Sequence, residues 1–194
     1  MTTARLSTAA APARARTRWG VRTLRRLTRD AHVLLAGLFP SPTAHGHVIG
    51  IPLERYLSTI YRQKNAKKLF DGVDIHPYAT TPSRVLADVK LARAIMNRFR
   101  DRKTPIWLGE VGWTTGGDPS PLTVPPERQA AYLTQTYQQL AANRKRYKVA
   151  GVIWYSWRDE PGRAWFQHTG LFTYEFDPKP AWRAFTALTG GLPG

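Results

Sequence analysis

Glu110 ends a short apolar run, Pro105 to Trp113, that reads as a buried strand delivering one carboxylate to a tip flanked by tryptophans. A carboxylate presented in this way serves as a nucleophile when neighbouring donors hold it in place and keep it ionised. Two side chains of the right type, His76 and Tyr78, end another apolar run that starts at Phe70, and they share one face with Asp74 by the two-residue period of a strand. Trp154 and Trp157 close a third run that starts at Val149. With Trp113 they offer flat aromatic faces, on which the C–H side of a sugar ring packs while its hydroxyls stay free for polar contacts. The chemistry these residue types could carry is that of a positioned carboxylate nucleophile beside aromatic faces able to stack a sugar.

The elements that must position these groups alternate along the chain. Val21, Leu24, Leu27 and Ala31 follow a helical spacing, and His32 to Phe39 is the first strand pattern. After a Pro/Gly/His loop from Pro40 to Pro52, the apolar residues Leu53, Tyr56, Leu57, Ile60 and Tyr61 predict a helix, and residues 70–76 the second strand. Thr81 and Pro82 start the next helix, a hydroxyl able to cap followed by a proline in the first turn. Its buried face carries Val85, Val89, Ala92, Met96 and Phe99, and residues 105–111 form the third strand. Pro125 and Pro126 open a helix with Ala130, Leu133, Tyr137, Leu140 and Ala141 on its core side and the cations of 144–148 at its negative end. Residues 149–155 are the fourth strand, and a last helix runs from Pro180 to Leu188. Four apolar strands separated by amphipathic helices predict an α/β chain whose strands pair in parallel through right-handed crossovers. No Gly-rich phosphate loop follows any strand, which argues against a nucleotide-binding open sheet.

The chain has 194 residues, 42% of them apolar, enough for one domain with a substantial core. A complete eight-stranded βα barrel usually needs about 250 residues, so four βα units predict a partial one. The net charge of +16 raises nucleic acid as a partner. Its distribution argues the other way: eight arginines against the single acid Asp30 crowd residues 1–30, and the remainder is scattered over helix faces. The absence of cysteine excludes disulfides and thiolate chemistry. His45 and His47, the one close histidine pair, sit in the Pro/Gly loop, and neither a metal nor another cofactor is expected. The longest apolar run, Val33 to Phe39, is far too short for a membrane span. Residues 1–18 lack an apolar period and are expected to be a disordered basic segment ahead of a folded domain over 19–194. Their arginine-rich character does not have the form of an ordinary signal peptide, and the compartment is left open.

Taken in order, these motifs resemble the C-terminal half of a clan A glycoside hydrolase barrel, closest in flavour to families 39 and 5. Asp71 to Tyr78 resembles the sixth barrel strand, Pro105 to Trp113 the seventh with its nucleophile, and Gly151 to Trp157 the eighth with its sugar-stacking tryptophan. Gly170 to Ala181 resembles the segment leading into the last helix. The resemblance implies a partial (β/α)8 barrel built from strands five to eight. It also implies a retaining mechanism with Glu110 as nucleophile, His76 and Tyr78 as its supports, and Trp113, Trp154 and Trp157 as sugar platforms. In these families the acid/base is a Glu that follows Asn. Here Asn65, Asn97 and Asn143 precede Ala, Arg and Arg. Glu160 and Asp159 lie near the fourth strand as poor substitutes, and Asp74 sits too deep on its strand for that role.

The expected function is hydrolysis of O-glycosidic bonds in an oligo- or polysaccharide or glycoside, with weak or no activity in the isolated chain. A missing N-terminal half barrel is the expected partner, and the exposed edges of a half barrel favour self-association. Secretion of a longer form is compatible with the resemblance. A non-catalytic carbohydrate-binding remnant and a basic nucleic-acid-binding protein are the alternatives.

Overall fold

Strand-forming and helix-forming segments alternate in the predicted order in a computed structural model, which describes residues 32–40, 43–44, 47–48 and 51–190. The basic segment 1–18, the helix expected from Val21 to Ala31 and the close histidine His45 lie outside the described residues. Four strands make one sheet: β1 (Leu34–Leu38), β4 (Gly72–Ile75), β5 (Ile106–Val111) and β6 (Val149–Trp154). They lie side by side in chain order, each pair parallel. β2 (Thr43–Ala44) and β3 (His47–Val48) form a short antiparallel pair inside the stretch expected to be loop. Two residues per strand are too few to leave an alternating pattern in the sequence.

Helices α2 (Pro82–Arg98) and α3 (Pro126–Tyr147) pack on one face of the sheet, with α1 (Leu53–Tyr61) against α2 and α4 (Pro180–Thr189) against α3. Val73, Ile75, Ile106, Leu108 and Val111 point into that layer and are fully buried, against Val85, Val89 and Met96 of α2 and Leu133 of α3. The stripe on α3 differs from the expected one. Ala141 is exposed, and Gln129 and Thr136 are buried in line with Leu133 and Leu140, giving intervals of four, three and four. Gln129 is tolerated inside because its amide donates to the carbonyl of Trp113 at 2.8 Å and so fixes the loop after β5. Thr81 precedes Pro82 as expected, yet its hydroxyl caps nothing. Its carbonyl accepts the amides of Arg84 and Val85 instead, and its hydroxyl faces Ser83. α4 ends in the left-handed Gly190, with φ 69°.

The end of the sheet where the strands begin is held by a buried polar knot. The Arg93 guanidinium donates to the carbonyls of Tyr147, Asp101 and Thr104, and the Tyr61 hydroxyl donates to Asp101 at 2.8 Å. Burial alone would raise the Asp101 carboxyl. The donors from Tyr61 and Thr104 outweigh it and hold Asp101 below the usual carboxylate range.

Asp88, half-buried on α2, has no such donors, and burial pushes its carboxyl up to about 6 despite the opposing charge of Arg84. The folded chain therefore binds a proton there that the unfolded chain releases near pH 4. Stability falls as pH rises through about 4 to 6 and stays lowered above it. Asp88→Asn is expected to raise stability at pH 7 by on the order of 1 kcal/mol, a value discounted for partial exposure. The gain should vanish by pH 4, and paired urea titrations at the two pH values measure it.

Candidate active site

The opposite face of the sheet carries the chemistry. Asp74, Trp107 and Gly151 lie in register across β4, β5 and β6. Trp107 spreads over its neighbours: a Cβ on Gly151 would sit 2.3 Å from its ring, and one on Gly72 would be 3.0 Å away. Strict alternation from Trp107 would return Glu110 to the helix side with Leu108. The pairing prevents this, because Leu108 faces Val152 and Val111 faces Trp154, so that three steps on β5 match two on β6. This bulge-like slip leaves both Gly109 and Glu110 between two fully buried side chains and turns the carboxylate toward the open face.

At that strand end the three sequence-predicted polar residues meet. Glu110 Oε2 accepts the Tyr78 hydroxyl at 2.7 Å and lies 3.3 Å from His76 Nδ1. The other ring nitrogen, Nε2, is 3.3 Å from Asp74 Oδ2, and Asp74 Oδ1 accepts the Gly109 amide at 2.6 Å. Burial, reinforced by the hydrogen bond and the charge of Glu110, raises the Tyr78 phenol far above its ordinary range, so it remains a donor. Phe39 from the end of β1 stacks on Tyr78 with centroids 5.9 Å apart and meets His76 edge-on at 5.8 Å.

Two of the three aromatic expectations, Trp113 and Trp154, need correction. Trp113 is 0% exposed, wedged between Tyr132 of α3 and Trp154, and has no face for a sugar. Trp154 is 7% exposed, because it falls on the helix side opposite Val111, and its indole N–H donates to the Thr169 carbonyl at 3.0 Å. Trp157 is 57% exposed but packs on Phe172 and Trp182, with no ring contact to the Glu110 group. The rings beside Tyr78 are instead Tyr155, at 6.3 Å, and Trp165, at 5.2 Å, both edge-on to it. Tyr155 was legible from Gly151 by period two, and Trp165 from the loop pair Trp165-Phe166. The peptide joining Tyr155 and Ser156 is cis.

Of the two acidic substitutes, Asp159 is not free for proton donation, and Glu160 lies near enough to Tyr155 for its charge to add to burial and to Glu110 in raising that phenol. Asp159 is buried in an ion pair with Lys179 at 2.8 Å, and it also accepts the Gly170 amide. Glu160 is exposed on the loop beyond Tyr155. Among the described residues no group of three or more His, Asp or Glu side chains is arranged so that it could hold a metal ion, and no helix is long and apolar enough to cross a membrane.

A four-stranded parallel sheet with helices on one face and polar side chains gathered at the strand ends is a partial (β/α)8 barrel. Solved structures bear this out. The chain superposes on a family 39 glycoside hydrolase from Bacteroides cellulosilyticus WH2 with a TM-score of 0.65 and 20% identity, over 91% of this chain and 36% of that one. It superposes on a monomeric β-xylosidase from Caulobacter crescentus CB15 with a TM-score of 0.60 and 16% identity, over 95% of this chain and 39% of that one. The fold is therefore that of part of the barrel these two proteins share, and the chain spans 36–39% of their length. No protein-family model matches the sequence, and no curated protein matches it.

Proposed function

We propose that the chain is the nucleophile-bearing part of a retaining glycoside hydrolase, corresponding to barrel strands five to eight. The observation that carries this reading is the pair of contacts on Glu110 Oε2, the Tyr78 hydroxyl at 2.7 Å and His76 Nδ1 at 3.3 Å, at the end of a parallel strand. The Tyr78 hydroxyl donates to the carboxylate and the His76 ring stands against the same oxygen, which together aim it as attack on an anomeric carbon requires. Trp165 and Tyr155 take the place of Trp113 and Trp154 as the aromatic walls of the sugar site.

Hydrolysis of an ordinary glycoside needs a second carboxyl group to protonate the departing oxygen. In this reading a complementary half barrel supplies it. Without it the chain loses a contribution of about 10²- to 10⁴-fold, and its own turnover is weak.

The nucleophile is tested alone with activated 2-fluoro glycosides, whose leaving group departs with its electron pair and needs no proton. Glu110 then bonds to the anomeric carbon as the leaving group is expelled, and the fluorine slows release of the sugar. Mass spectrometry should find one glycosyl adduct, on the peptide containing Glu110, and none in Glu110→Gln. A folded chain that no member of a broad sugar panel labels, while a complete clan A enzyme is labelled, would sink the proposal. Sugar binding that persists in Glu110→Gln without labelling of the wild type would mark a binding remnant.

A further inference from the structure

The cations expected to be scattered over helix faces are gathered at one end of the sheet instead. The four strands start level, with Leu34 paired to Gly72, Val73 to Ile106 and Ile106 to Val149, so the loops that lead into β4, β5 and β6 emerge side by side. Residues 62–68, 98–103 and 144–148 each carry four cations, all exposed, and the one acid among them, Asp101, is buried. At the opposite end, around Glu110, the loops 77–81, 112–125 and 155–179 carry five acids and three cations. The partial barrel therefore has a strongly basic pole behind its site.

Helix ends do not account for that pole. α1, α2 and α3 finish there, and each C-terminus presents the equivalent of about half a negative charge, against a net +11 on the three loops. The loops are also locked together. Arg93 donates to the carbonyls of Asp101, Thr104 and Tyr147, and Lys67 Nζ donates to the Arg100 carbonyl at 3.1 Å. Arg100 and Lys148 hold left-handed φ angles of 59° and 53°, where the backbone favours glycine, so cations stand even at strained positions. Like charges fixed side by side raise the energy of the folded chain, and an opposing anionic surface relieves it.

We infer that this end of the barrel is a docking face for an anionic lipid surface, held by charge. A rigid plane of cations meets a plane of phosphates over its whole extent. Recognition of bases needs aromatic side chains to stack on or an element that enters a groove. Here Tyr61, Phe70 and Tyr147 are buried, Phe99 stacks on Tyr61 with centroids 5.2 Å apart, and the helices meet the face only by their C-terminal ends. Docking in this orientation leaves the Glu110 end facing away from the lipid, and it is independent of what Glu110 does.

The test is cosedimentation of the full chain with vesicles of phosphatidylcholine, alone or with about a third phosphatidylserine. At about 0.1 M salt, binding should require the anionic lipid, and it should vanish at about 1 M, where charges more than about 3 Å apart are screened. A face variant combines Lys64→Gln, Arg102→Gln, Lys103→Gln and Lys145→Gln. Among the described residues these four side chains make no ion pair or hydrogen bond, so its melting temperature should not fall. Its binding should weaken by about 100- to 1,000-fold. A second variant, with Arg14, Arg16, Arg18 and Arg22 each changed to Gln, removes the same charge from residues 1–30 and should weaken binding by less than about tenfold. Failure to bind the anionic vesicles would overturn the inference, as would a loss in the second variant equal to or greater than that in the first. Binding of a mixed-sequence DNA duplex at lower concentrations than the vesicles would give the face to nucleic acid and overturn it as well.

Discussion

Exchange of Lys179 for methionine is expected to destabilise the folded chain by about 3–5 kcal/mol, lowering the melting temperature by roughly 6–20 °C. The Lys179 side chain is 7% exposed and that of Asp159 10%, with Nζ to Oδ2 at 2.8 Å. Burial lowers the Lys179 amine, and the hydrogen bond and charge of Asp159 work against that shift to keep it charged. The pair is also a structural joint. Asp159 Oδ1 accepts the Gly170 amide at 2.7 Å, and Lys179 Nζ donates to the His168 carbonyl at 3.3 Å. These bonds tie the loop after β6, which carries Trp165, to the residue that precedes α4. Methionine fills similar volume and leaves Asp159 as a buried charge answered by one backbone amide, that of Gly170. Replacing both members, Lys179→Met with Asp159→Leu, should recover much of the loss, because the stranded charge is removed. Thermal unfolding of the two variants measures this. Equal destabilisation of the single and double variants would show that loop packing, and not the stranded charge, sets the cost.

The parallel strands and their helices were legible because each strand is apolar over four to eight residues and each helix shows a 3.6-residue stripe. Glu110, His76 and Tyr78 were legible because strand ends are where a barrel gathers polar groups. What the pattern hid depends on register. Trp154 looks like a site residue until its pairing with Val111 places it on the helix side, and Tyr155 then occupies the open face. Glu110 reaches that face only through the slip between Leu108 and Val111, which period-two reasoning does not foresee. Asp74 was legible as sharing a face with His76 and Tyr78, whereas its hydrogen bond to the Gly109 amide on the neighbouring strand depends on register and was not. Lys179 and Asp159 are twenty positions apart, with neither periodicity nor composition to mark them as a pair.

Gly112→Ala should be nearly as damaging, for a steric reason confined to one atom. The added Cβ would lie 2.3 Å from the Tyr155 carbonyl oxygen, a backbone atom that no side-chain rotation can move aside. The Tyr155 amide donates to the Val111 carbonyl at 2.9 Å, so β5 and β6 are already drawn together at this point. Relief requires the two strand ends to part, which displaces Tyr155 from Tyr78 and loosens the backbone two residues beyond Glu110. Overpacking of this kind costs about 1–3 kcal/mol and occasionally more. The rigid neighbour argues for the upper end. Gly116→Ala is the matched control, since its Cβ would meet the His168 ring at 3.4 Å, close to ordinary contact. The expected outcome is a clear fall in melting temperature for Gly112→Ala and little change for Gly116→Ala. Labelling of Glu110 should be slowed in the first variant alone. A Gly112→Ala chain as stable as wild type would mean that the strand ends separate freely, and the close approach of β6 to β5 would then not be what holds Tyr155 beside the site.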